Sequence, residues 1–81
     1  MSRIQHQVTA TMLDGTQKEV TVAYGFDQVP GFKAGYFFQL YYADEKTGEE
    51  VFISNTGFLV GVDKKDVKEL AKKYKIKLKP F

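Results

Sequence analysis

Residues 36–42 read Tyr-Phe-Phe-Gln-Leu-Tyr-Tyr, with Gly35 before them and the turn-forming DEKTGE after Ala43. A short aromatic run bounded by such punctuation reads as a β-strand. Successive side chains on a strand point to opposite faces. Tyr36, Phe38, Leu40 and Tyr42 therefore share one face, while Phe37 and Tyr41 lie on the other. A strand apolar on both faces needs cover on both sides. A chain of 81 residues has material for one core, so residues 1–81 are read as a single domain. What covers the second face of that strand is the question the sequence poses.

The segments before it alternate cleanly. Ile4, His6, Val8, Ala10 and Met12 point one way and Gln5, Gln7, Thr9 and Thr11 the other; Val20, Val22 and Tyr24 repeat the pattern across 18–24. Parity fixes how these two strands pair. A two-residue Asp14-Gly15 loop would set apolar residues against solvent-facing ones. A three-residue loop, Leu13 to Gly15, places Val8 opposite Val20 and His6 opposite Val22. A one-residue slip inverts the faces of a strand, so hydrophobicity selects the longer loop, with Gly15 in the left-handed position of a bulged turn.

Residues 25–35, GFDQVPGFKAG, are expected to form the longest irregular connection, broken by three glycines and Pro30. After the aromatic strand and the 44–49 turn, 50–54 reads as a strand. Asn55-Thr56-Gly57 reads as a second three-residue turn and Phe58–Val62 as a fifth strand, with Ile53 opposite Leu59 and Phe52 opposite Val60. Asp63 then caps a helix, supported by Asp66. Val67, Leu70, Ala71 and Tyr74 form its apolar stripe, and Glu69 with Lys73 is an i,i+4 charge pair. Ile76 and Leu78 alternate with Lys75, Lys77 and Lys79 in a short last strand closed by Pro80.

The expected fold is α+β: a curled antiparallel sheet of five to six strands, a hairpin then a three-strand meander, with one C-terminal helix and a short last strand. The alternative is an SH3-like small barrel, which the run from Phe32 to Phe38 into a meander resembles.

The chemistry on offer is sparse. With no cysteine and a single histidine, no thiolate nucleophile, disulfide or nucleophile–base pair can be assembled. His6 lies on the apolar face of the first strand and reads as a satisfied core or rim histidine. No metal-ligand spacing appears, and the glycines of 25–35 lack the phosphate-cradle pattern. The expectation is therefore no catalytic residue, no cofactor and no metal. No apolar run approaches the ~20 residues that span a bilayer, and Met1–Gln7 lacks a signal-peptide core. A cytoplasmic location without membrane contact is expected.

Charge is distributed unevenly. Residues 63–81 carry eight lysines against Asp63, Asp66 and Glu69, a balance of +5, whereas 1–62 sum to −3. A basic face attracts anionic partners over distance. Two binding functions follow. The leading one is a small non-enzymatic module working through protein contacts, alone or as a homodimer. Its expected interface is Gln28, Phe32, Lys33, Phe37 and Tyr41, since aromatic residues are enriched at such surfaces. The alternative is nucleic-acid binding through Lys64, Lys68, Lys72, Lys75, Lys77 and Lys79. Against it stand the net charge of only +2 and a single arginine.

Overall fold

In the computed structural model of the chain, which describes residues 2–27, 35–56 and 62–81, the alternating segments become strands β1 (Ser2–Thr11) and β2 (Gln17–Asp27). They pair antiparallel with Val8 opposite Val20 and His6 opposite Val22, the register that parity required. The Met12 N–H donates to the Thr16 carbonyl at 2.7 Å to close the hairpin. Gly15 takes φ +91°, a backbone state that glycine adopts without Cβ strain. The Asp14 carboxylate accepts hydrogen bonds from the hydroxyl and the N–H of Thr16, at 2.7 and 2.9 Å. These bonds favour its ionised form and hold its pKa below the usual 3.8.

The aromatic segment forms β3 (Gly35–Ala43), and β4 (Glu50–Asn55) follows. The turn between them is organised by Asp44, whose carboxylate accepts the N–H groups of Lys46 and Thr47. The described strands make one antiparallel sheet in the order β1-β2-β3-β4, which does not close on itself. Neither a barrel nor a sheet of five to six strands is formed by the described residues. Gln28, Phe32, Lys33 and the segment 57–61 lie outside them.

The expected fifth strand, Phe58–Val62, lies outside the described residues except for Val62. Thr56, the middle residue of the expected 55–57 turn, is tied to β3. Its N–H donates to the Phe38 carbonyl at 3.1 Å and its hydroxyl accepts the Phe38 N–H, so it prolongs the pairing of β4 with β3. Val62 bridges Tyr36, receiving its N–H at 2.9 Å. The proposed hairpin register would have carried Val62 back opposite Glu50, which pairs with Ala43 at the other end of β3. Val62 instead lies beside β3 beyond Thr56.

The helix α1 (Lys64–Lys73) begins at Asp63 as expected, and the Asp66 carboxylate accepts the Asp63 N–H at 2.9 Å. Val67, Ala71 and Tyr74 are buried and Leu70 packs beside them. Their partners are Ala10, Val20, Val22, Tyr24, Phe38 and Leu40, the inward side chains of β1–β3. Glu69 and Lys73 do not pair; the Lys73 ammonium lies over the Tyr74 ring at 5.9 Å.

Residues 76–80 form no ladder, which corrects the expected last strand. The edge of β1 is occupied near this segment by Tyr74, whose carbonyl accepts the Thr11 N–H at 2.9 Å. Ile76 and Leu78 turn toward the core alongside the helix. The Lys79 N–H finds the Tyr24 hydroxyl at 2.7 Å, and the Phe81 ring meets Tyr24 edge-on at 5.1 Å. Side-chain contacts with Tyr24 do here what ladder bonds would have done. Helix and tail together cover one face of the sheet.

Candidate functional site

The opposite face carries the odd-numbered residues of β1–β3. Cross-strand rows place Gln5, Ala23, Gln39 and Asn55 side by side, and next to them Gln7, Thr21, Tyr41 and Phe52. Among the described residues no helix packs on this face. Its side chains are mostly uncharged and polar, with Arg3 and Glu19 at its two ends.

Phe37 and Tyr41 both lie on this face, as the alternation required, but only Tyr41 remains accessible. Phe37 is 6% exposed. Gly25, directly across from it, has no side chain, so the ring has room to settle against the sheet. The Arg3 guanidinium lies 5.4 Å from the ring centroid, within cation–π range. Arg3 is held there by hydrogen bonds to the Gln5 carboxamide oxygen at 3.1 and 3.3 Å and to that of Gln39 at 3.4 Å. The expectation of Phe37 as an outward contact residue is corrected: its ring is covered within the monomer.

Tyr41 is half-buried and its ring tilts against Phe52, with centroids 5.2 Å apart. Phe52 is 45% exposed, and the sequence reading did not select it. Its position follows from a bulge. Leu40 pairs with Ser54 but Tyr41 pairs with Phe52, so Ile53 is the extra residue. Without the bulge, Ile53 would face outward opposite Tyr41 and Phe52 would face the helix. With it, Ile53 packs against the core and Phe52 joins Tyr41 outside. The unbroken apolar run Val51-Phe52-Ile53 was the available signal, since three consecutive apolar residues must place at least one on each face of the strand.

The other candidate surface is basic. Lys68, Lys72, Lys75 and Lys77 converge around a groove of about 430 Å³ whose floor includes Ala71, Ile76 and Leu78. None of these four lysines forms an ion pair among the described residues. The two remaining candidates stand apart from this ring. The Lys64 ammonium sits 5.0 Å from the Phe81 ring centroid. Lys79 is exposed, with its backbone tied to Tyr24.

His6 is half-buried, with Nε2 2.9 Å from the Tyr24 hydroxyl and the two rings edge to face. It is a satisfied rim histidine. Among the described residues no group of three or more His, Cys, Asp or Glu is placed to hold a metal ion, and no helix is long and apolar enough to cross a membrane. No protein-family model, curated protein or solved structure matches the chain.

Proposed function

We propose that the chain is a small, cytoplasmic, non-enzymatic binding module that works through protein contacts, using the sheet face opposite α1. The observation that carries this reading is the Tyr41–Phe52 pair, presented on a carpet of glutamine, threonine and asparagine side chains. Aromatic anchors give contact area with few rotatable bonds, and the surrounding amides adapt their hydrogen bonding to the partner. Among the described residues the Phe52 ring meets only that of Tyr41, and it stays 45% exposed. The test uses wild type, Phe52→Ala and Tyr41→Ala as affinity baits, with captured proteins quantified by mass spectrometry. A partner retained by wild type and lost by both variants, each still folded by circular dichroism, is the expected result. A partner set unaffected by both substitutions refutes the reading.

A second reading, nucleic-acid binding, is favoured by one observation: four lysines without ion-pair partners among the described residues line one groove. Neutralising phosphates releases counterions, so such binding weakens steeply with salt. A labelled single-stranded oligonucleotide should bind at low salt, lose affinity as salt rises, and respond to Lys68→Ala/Lys72→Ala. Absence of binding at about 20–50 mM salt, where the counterion contribution is large, removes this reading.

A further inference from the structure

The geometry points to a homodimer formed by antiparallel pairing of β1 with β1 of a second copy, through an edge that the described residues leave unguarded. β1 is ten residues long and borders the sheet. The Thr11 N–H bonds outward to Tyr74, whereas the Met12 N–H bonds inward to Thr16. Backbone direction alternates along an antiparallel strand, so Arg3, Gln5, Gln7 and Thr9 also present their N–H and C=O groups outward. Among the described residues nothing receives them.

Natural sheets usually blunt such an edge with proline, lysine, bulges or a covering segment. β1 has no proline or lysine and no break in its pairing with β2. Its one formally charged side chain, Arg3, is folded inward across the sheet toward Gln39 and Phe37. The C-terminal tail reaches the edge only at Thr11.

The structure also selects the register. For outward groups to meet outward groups, odd residues must pair with odd residues. Centring the twofold axis on Gln7 would set Arg3 of the second copy opposite Thr11, where Tyr74 already sits. Centring it on His6 avoids that collision and retains the whole run from Arg3 to Thr9. Gln5 then pairs with Gln7 of the second copy and Arg3 with Thr9, giving about eight backbone hydrogen bonds at two per bonded pair. On the helix-side face Ile4 meets Val8 of the second copy, and both are only half-buried in the monomer. On the open face Arg3 comes two strand spacings, about 9.5 Å, from Glu19 of the second copy, whose carboxylate is held beside Thr9. This opposite-charge relation occurs twice by symmetry. The product is a continuous eight-stranded sheet that carries two Tyr41–Phe52 pairs on one face.

This inference shares the class of the proposed function, protein contact, but uses a different surface. Sedimentation velocity on the full chain tests it over roughly three decades of concentration ending near 0.5 mM, a range that captures micromolar association. The expected result is a mass rising from 9.2 kDa toward twice that value. Gln7→Pro removes an outward N–H at an edge position that tolerates proline and should leave a monomer with a wild-type circular dichroism spectrum. Should that variant unfold, Gln5→Lys/Gln7→Lys, which alters only exposed side chains, should abolish the dimer by repulsion.

The register has its own check in this cysteine-free chain. His6→Cys should cross-link to itself under mild oxidation, because the pair on the axis has Cα atoms about 4.5 Å apart. Gln7→Cys should cross-link far less. A monomer throughout the concentration range, or a dimer insensitive to Gln5→Lys/Gln7→Lys, overturns the proposal and leaves the Tyr41–Phe52 reading standing. Preferential cross-linking of Gln7→Cys overturns the register.

Discussion

Replacing Lys75 with glycine should stabilise this protein, although it deletes a side chain. Lys75 is the only non-glycine residue at positive φ among the described residues, at 54°. It follows the C-cap Tyr74 and occupies the first position past the helix. Its N–H donates to the Lys72 carbonyl at 3.0 Å, and the Ile76 N–H donates to the Ala71 carbonyl at 2.8 Å. This pair of bonds defines a Schellman ending, whose left-handed residue is most often glycine. A side chain in that conformation costs about 1–2 kcal/mol from the clash of Cβ with the following carbonyl. Glycine removes the clash but adds unfolded-state freedom worth about 0.4–1 kcal/mol. The net gain is about 0.5–1 kcal/mol, which for a domain of this size raises Tm by roughly 2–8 °C. Urea and thermal unfolding followed by circular dichroism measure it, with an unchanged m-value as the check that the unfolded state is comparable. Lys75→Ala is the control. It removes the same charge from beside Lys72 and Lys77 while keeping Cβ, and Lys75→Asn should fall between the two. If Lys75→Gly is no more stable than Lys75→Ala, the backbone argument is wrong.

Three further outcomes follow from the packing. Phe37→Ala should cost about 3–5 kcal/mol in urea unfolding as a buried ring, whereas Phe52→Ala should cost under about 1 kcal/mol because its ring is largely exposed; equal costs would contradict the assignment of one to the interior and the other to the surface. Tyr24→Phe removes the hydroxyl that receives the Lys79 N–H and contacts His6, so it should cost about 1–3 kcal/mol and speed hydrogen exchange at the Lys79 amide, and unchanged exchange there would show that the tail is held by other contacts. The hydroxyl and N–H of Thr16 lower the Asp14 pKa, so its carboxylate binds protons more weakly folded than unfolded; its stabilising effect is present above pH 3.8 and lost as pH falls through the folded value. Wild type should therefore lose stability on acidification more steeply than Asp14→Asn, and parallel profiles would refute the role of that turn.

The parts of the fold legible in the sequence were those governed by local pattern. Alternation and the Leu13–Gly15 turn were enough to set the β1–β2 register residue by residue, because any slip would have buried glutamines and exposed valines. Asp63, Asp66 and the stripe through Val67, Ala71 and Tyr74 were enough to place the helix and choose its buried face. The candidate site was less legible. Alternation put Phe37 and Tyr41 on the same face, but it carries no information about Gly25 across the sheet or about Arg3 reaching over from β1. Those contacts separate the covered ring from the accessible one. The basic surface had the same limit: six lysines looked equivalent along the chain, and the turn after α1 gathered only Lys68, Lys72, Lys75 and Lys77 around one groove.

By itself, the order of residues determined which segments extend, where the helix starts and which side chains share a face, because these depend on neighbours a few positions away. Tertiary structure alone decided the rest. The bulge at Ile53 sent Phe52 outward, Val62 joined the flank of β3 beyond Thr56, and the lysine-rich tail crossed the sheet instead of joining it. Each of these outcomes is a competition between distant groups for the same space or the same hydrogen-bond partner. Such competition has no periodic trace in the sequence.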